Sequence, residues 1–376
     1  MIVSFFSRYI FYIYFIFLAI IGRTLRDFDL DYAAAILLSL LGLFSLPFLR
    51  VKLSVWDLMW LPASFMAIVY LVLYSLEVAL PADPIIQSLM FFMPFVSLLS
   101  RNLDVEHVDL GRLFFGLAVL CFIGLLPYYS EVLVALTSSH ERARFHSYFS
   151  ILICFFMVSF LLSGWIEGKY KVIFSIFLIV IFSGAAAHRS MYLAFVCQVI
   201  FWMLVNGNVK ALIRPLIAIV IGGGVLMFTD FGNVIIGKFS DSAAGTDGNT
   251  ESRLYYYQQV FVNSYHDFLG VGFGEYFKYG LDSKGQPVAY ALQHNSYLSY
   301  LYFLGWIPFL AVLVGLVRLV FYRGGGERLK VYLSIFIGMS FFSLLNVYLE
   351  QPTFGIVYWI LYGLITREIQ CARKIF

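Results

Sequence analysis

Three short stretches of this chain hold residue types and spacings that can do chemistry. The first is Ala185-Ala186-Ala187-His188-Arg189-Ser190, where an arginine stands at the end of an apolar run, with Leu193 four residues on. That spacing puts arginine and leucine on one helix face. An arginine there is costly unless it is paired, solvated or functional, and a snorkelling side chain is the plainer reading of it alone. The second stretch runs from Glu251-Ser252-Arg253-Leu254 to His266-Asp267-Phe268-Leu269-Gly270-Val271-Gly272-Phe273-Gly274-Glu275. Its glycines invite a nucleotide-loop reading, but that needs a strand before and a helix after within a β-α-β unit. Here they serve better as places where the backbone turns tightly and approaches a neighbour closely. The third stretch is His294-Asn295-Ser296-Tyr297-Leu298-Ser299, continuing to Leu304-Gly305. A histidine at the mouth of a helix can titrate near neutral pH and act as a general base, or it can simply line the helix start.

The elements that position these residues follow from composition. The 376 residues are 61% hydrophobic and only 12% charged, with 40 Phe and 26 Tyr. An ordinary soluble domain is about a quarter charged, so this chain cannot coat a water-facing surface. It reads as an all-α polytopic integral membrane protein. A spanning helix needs about 20 mainly apolar residues. Runs of that kind fall near 9–22, 32–49, 56–80, 85–100, 111–128, 147–166, 170–187, 189–206, 210–228, 295–322, 330–349 and 353–367. The organisation expected is therefore nine spans over 1–228, a large external loop over 229–294, and three spans plus a tail over 295–376. A smaller external loop is expected at 129–146. With the N-terminus inside, sixteen of the 25 Lys and Arg fall on cytoplasmic segments, among them Arg50, Lys52, Arg101, Arg318 and Arg328. Basic residues favour the cytoplasmic side, which places both termini there and the long loop outside.

Other chemistries are excluded by type and spacing. The net charge is +3 and no long Lys/Arg run exists, so nucleic acid is not a partner. The four cysteines show no C-x-x-C or Cys/His spacing, so neither zinc nor a disulfide framework is expected. Asp241, Asp247, Asn249 and Glu251 lack the spacing of a calcium loop. No cofactor is expected.

Taken in order, Arg189 with Leu193, Arg253, "LGVGFGEYF" and "HNSYLSYLYFLG" resemble the O-antigen polymerase and O-antigen ligase superfamily (Wzy-type polymerases and lipopolysaccharide ligases). The match covers roughly 180–310, and the "GVGFG…HNSYL" pairing is its most specific part. Three positions depart from the usual pattern: Asp267-Phe268 where a proline often precedes the glycines, Phe303 where an acid is common, and Pro308 in place of a second glycine. The resemblance implies a GT-C-like glycosyltransferase bundle in a bacterial inner membrane, working at the periplasmic face without metal or nucleotide. Its donor would be a glycan on undecaprenyl diphosphate. Its partners would be such lipid-linked glycans, membrane lipids, a chain-length regulator and a flippase. Arg189 and Arg253 would then neutralise the departing diphosphate, because guanidinium is planar, always charged and binds phosphate bidentately. His294 would be the base or would orient the acceptor, with His188, His266 and Glu275 as further substrate contacts. A polymerase leads; a ligase shares the same motif layout; a non-enzymatic flippase is disfavoured because no repeated halves are evident. Reporter fusions at Asp247 and Ser283 should be found outside and those at Gly325 and Arg373 inside; a cytoplasmic signal at Asp247 would overturn the orientation.

Overall fold

A computed structural model describes residues 9, 11–20, 30–48, 53–77, 82–101, 103, 108–137, 148–186, 189–206, 257–262, 264, 267–273, 277–281, 287–290, 295–322, 324–346 and 348–374. For 46–48, 74–77, 82–86, 135–137, 148, 184–186, 189, 277–281, 287–290 and 373–374 it describes the backbone alone. The apolar runs fold as helices: α1 (Phe11–Ile20), α2 (Leu30–Phe48), α3 (Leu61–Glu77), α4 (Ala82–Phe92), α5 (Val96–Ser100), α6 (Leu110–Leu125) and α7 (Tyr129–Thr137). They continue as α8 (Tyr148–Ser163), α9 (Lys169–Ala186), α10 (Arg189–Asn206), α11 (Ser296–Leu304), α12 (Trp306–Val320), α13 (Glu327–Leu344) and α14 (Pro352–Lys374). Run 210–228 lies outside the described residues. One departure from an all-α chain is an antiparallel hairpin of β1 (Phe277–Leu281) and β2 (Pro287–Tyr290), in which Phe277 pairs with Tyr290 and Tyr279 with Val288.

Among the described residues one helix is long and apolar enough to cross a membrane. It is Leu110–Val134, 25 residues with a mean hydropathy of 2.0 in its most apolar window. This corrects the expected loop at 129–146, since α7 carries the helix on through the 3-10 turn Leu126–Tyr128. Two of the other apolar runs are interrupted by turns. Pro94 sits in a 3-10 turn between α4 and α5, and Gly305 breaks the expected single span 295–322 into α11 and α12. Proline's fixed φ and missing N–H, and glycine's tolerance of positive φ, explain both interruptions. Helix α12 leaves Ile307, Leu310, Val314 and Val317 between 46% and 57% exposed, an apolar stripe at helical spacing.

The chain divides into two compact units. One comprises Met1–Asp29, Leu103–Gly248 and Gly325–Phe341, the other Leu30–Asn102, Asn249–Gly324 and Phe342–Phe376. In the first, α8 packs on α6, α9 and α10. Phe114 and Phe156 stack at 4.2 Å, and Phe160 stacks on Trp165 at 5.2 Å. Its buried polar groups meet one another: Gln198 donates to the Phe155 carbonyl and to Ser159 Oγ, both at 2.7 Å, and Ser159 hydrogen-bonds Ser334. Such bonds are needed because an unpaired polar group in an apolar interior costs several kcal/mol.

In the second unit α5 lies between α2 and α14, and small residues set the distance. A Cβ at Gly42 would stand 2.1 Å from the Phe95 carbonyl oxygen, and one at Gly363 would stand 2.2 Å from that of Ser97. A buried ion pair anchors one end of this packing. Asp57, fully buried, meets both terminal nitrogens of Arg101, with Nη1 at 3.1 Å. It also accepts from Trp60 Nε1 at 3.2 Å and from Ser54 N–H and Oγ–H at 2.5 and 3.0 Å. Beside it, Tyr362 donates to the Trp56 carbonyl and Arg318 sits 4.7 Å over the Trp56 ring. Removing one partner of such a pair strands a charge away from water. Asp57→Ala is expected to cost about 3–5 kcal/mol, more than the double variant Asp57→Leu/Arg101→Met, in thermal unfolding of detergent-solubilised protein. Equal losses would mean that the pair adds nothing beyond shape.

Candidate functional site

The described part of the site lies in the second unit and starts one residue after His294. Asn295 is the N-cap of α11: its Oδ1 accepts from the N–H groups of Tyr297 (2.9 Å) and Leu298 (3.2 Å). Those donors have no partner inside the helix, and an asparagine oxygen is among the best substitutes for one. Every residue of α11 from Ser296 to Leu304 is buried. The entry point of the helix is thus fixed both by its cap and by packing.

The other end of α11 is held by the glycine-rich stretch. At Gly305 (φ +81) the helix stops, and α12 restarts at once. The break leaves helix-end carbonyls and N–H groups to be satisfied. The loop over 267–273 supplies the partners. Val271 N–H donates to the Tyr302 carbonyl (2.9 Å) and Gly272 N–H to that of Phe303 (3.0 Å), while Trp306 N–H donates to the Phe268 carbonyl (3.1 Å). A Cβ at Gly270 would stand 2.6 Å from the Phe303 oxygen, and one at Gly305 would stand 2.3 Å from the Phe268 oxygen. Both residues and Gly272 also have positive φ. The close approach read from the glycine spacing is therefore the arrangement found at Gly270, and its partner is the end of α11.

Side chains tie the loop down further. Tyr70 donates to the Leu269 carbonyl (2.7 Å), and Trp306 Nε1 donates to that of Ser264 (3.0 Å). Phe273 packs among Phe91, Phe303 and Tyr70, with ring centroids 5.7–6.2 Å apart. Aromatic pairs at such separations add about 0.5–1.5 kcal/mol each beyond the area they bury.

The start of α11 is bound to a second segment, the 3-10 turn Tyr348–Glu350 between α13 and α14. The Asn346 carbonyl accepts from Ser296 N–H (3.2 Å) and Ser296 Oγ–H (3.0 Å), and Leu349 N–H donates to Ser296 Oγ (3.1 Å). Ser299 Oγ–H donates to Glu350 Oε1 at 2.5 Å. Burial pushes the Glu350 carboxyl up to about 8, with the Ser299 hydrogen bond pulling the other way. Sequence reading passed over Glu350, because a single acid between two apolar runs carries no local signal of what it will meet.

Of the predicted residues, Arg189 opens α10 in the first unit, described by its backbone alone. Arg253, His188, His266, Glu275 and His294 lie outside the described residues. What the structure brings together is their immediate neighbours: Asp267 to Phe273, next to His266, and Asn295 to Gly305, next to His294.

No family model matches the chain, and no curated protein matches it.

The glycine contacts set up a controlled comparison. Gly164 also has positive φ (+74) but open space around its Cβ position, so Gly164→Ala should cost only the backbone strain, about 1–2 kcal/mol. Gly305→Ala adds the clash with Phe268 and the further strain of a backbone conformation (φ +81, ψ −169) that essentially only glycine adopts, together expected at about 1–3 kcal/mol more. Equal thermal shifts for the two variants would show that the loop is not seated on the helix break.

Proposed function

We propose that this chain is a glycosyltransferase of a bacterial inner membrane that polymerises lipid-linked repeat units at the periplasmic face. In this reading twelve segments span the bilayer, both termini are cytoplasmic, and the segment 229–294 is external. The observation that supports it most is the seating of the glycine-rich loop on the end of α11. The described parts of the two stretches on which the resemblance to O-antigen polymerases and ligases chiefly rests, 270–273 and 295–305, are joined by backbone hydrogen bonds.

The donor is a growing glycan on undecaprenyl diphosphate, and the acceptor is a sugar hydroxyl of a new lipid-linked repeat unit. The hydroxyl oxygen attacks the anomeric carbon, and the bond from that carbon to the diphosphate oxygen breaks with its electron pair staying on the diphosphate. Arg189 and Arg253 meet the charge that builds there; guanidinium suits this because it pairs with phosphate oxygens through two parallel N–H bonds. His294 takes the proton of the hydroxyl, a task matched to an imidazole with its usual pKa of about 6.5.

The test uses purified protein with lipid-linked repeat units. His294→Ala should lower the rate by about 10²–10⁴-fold, and the wild-type rate should fall with pH below about 6.5. Undiminished turnover by His294→Ala would remove the residue from the mechanism. In a deletion strain a core capped by a single repeat unit supports the polymerase; loss of all glycan from the core, with lipid-linked polymer accumulating, turns the assignment to a ligase.

A further inference from the structure

Among the described residues, Glu350 is the carboxyl hydrogen-bonded to the helix that His294 precedes. It is 9% exposed and lies between the apolar runs 330–349 and 353–367. Its Oε1 is held by Ser299, while Oε2 is sealed from solvent and has no hydrogen-bond partner among the described residues. Resting on the function proposed above, we propose that Glu350 is a positioning residue for glycan transfer: through Ser299 it closes the turn Tyr348–Glu350 onto the first turn of α11 and so fixes where His294 enters the site. The closure is two-ended. Ser296, two residues after His294, bonds Asn346 and Leu349 at the near end, and Ser299, one turn further, bonds Glu350 at the far end.

A buried carboxyl with only one hydroxyl as partner is stable when protonated and costly when charged. The groups around it do not offset a charge. Helix α11 brings Tyr297, Ser299 and Tyr300, the last close enough to feel the Glu350 charge. Helix α14 brings Tyr358, whose hydroxyl is 3.4 Å from that of Tyr297. Helix α4, which packs on the same turn, carries the buried Gln87 and Ser88, with Asp83 described by its backbone alone. A carboxyl pKa raised by folding stabilises the folded arrangement at low pH, and that contribution is lost as pH rises through the folded value, here about 8. Part of that contribution is already lost at neutral pH, where the carboxyl of the closed form is still mostly protonated, and the closed form itself ionises as pH passes about 8. Transfer should depend on pH from both sides, with the acid limb belonging to His294 and the alkaline limb to Glu350.

The experiment measures kcat and KM for the full chain in detergent with lipid-linked repeat units from pH 5.5 to 9.5. Wild-type kcat should fall about tenfold between pH 7 and pH 9, the loss expected one unit above the folded pKa. Glutamine keeps a carbonyl for Ser299, places a donor where Oε2 stands and cannot ionise. Glu350→Gln should recover most of what alanine loses and abolish the alkaline fall. Glu350→Ala should lower kcat at pH 7 by about tenfold or more with KM little changed, as expected for a misplaced base rather than a lost contact. An alkaline limb that survives in Glu350→Gln overturns the proposal, and because glutamine is the milder change this holds even where the alanine variant does not fold. A wild-type protein with no turnover on lipid-linked repeat units overturns the assigned function and this role with it. Active wild type with an unaltered limb in Glu350→Gln overturns this role alone.

Discussion

A helix that stops inside apolar surroundings must find partners for its end groups, and much of the second unit is arranged around that demand at Gly305. The Tyr302 and Phe303 carbonyls and the Trp306 N–H cannot be left bare where water does not reach, since each unsatisfied group there costs several kcal/mol. Three backbone bonds from the 267–273 loop answer all three groups. Backbone can approach backbone this closely only if side chains are absent, which is why glycine stands on both sides of the contact, at 270 and at 305. The aromatic cluster around Phe273 and the Tyr70 hydroxyl then hold the loop against its own tendency to leave. A continuous helix over 295–322 would have needed none of this. It would also have offered no backbone handle by which the 267–273 loop could be fixed to the end of α11.

The same accounting explains two of the buried carboxyls of this unit, which are met in opposite ways. Asp57 receives a guanidinium, an indole N–H, a hydroxyl and a backbone N–H, so charge and lone pairs are both matched. Glu350 receives one hydroxyl. The first arrangement is a fixed strut joining the turn before α3 to the end of α5. The second is conditional, since its strength depends on a proton. That the conditional one sits at the helix preceded by the candidate base, and the fixed one lies in the turn before α3, makes chemical sense of where each is placed.

How much of this could be read from the sequence depends on the range of the interaction. Apolar runs became helices wherever they are described, because helix periodicity and burial are local properties. The reading of these glycines as places of tight turning and close approach held in full at Gly270, and at Gly272 for the turn alone through its positive φ, since glycine's steric licence is local even when its partner is not. The break at Gly305 was hidden because Leu304 and Trp306-Ile307 continue the apolar pattern across it; Pro308, a residue suited to a first helical turn, was the available sign. Residues 129–137 were read as loop because Ser130 and Glu131 interrupt the hydropathy, although the stretch keeps good helix formers such as Leu133 and Ala135. Pairings such as Asp57 with Arg101, 44 residues apart, or Ser299 with Glu350, 51 apart, leave no mark in either local sequence.

These long-range pairs define what the arginines and histidine of the proposed mechanism require of the chain. A general base gives its full effect only when its distance to the reacting oxygen is held within a fraction of an ångström. A connecting segment does not hold that tolerance by itself, because loop-closure entropy favours many arrangements. The tolerance has to be borrowed from helices. At its downstream end the loop runs into Asn295, whose side chain caps α11 and whose neighbours are stitched to the turn before α14. Midway, the loop is stitched to the far end of the same helix through the glycines. The described residues on either side are therefore tied to the two ends of one nine-residue helix, 268–272 at its far end and Asn295 at its start, so that α11 is the rigid element on which any site built there depends.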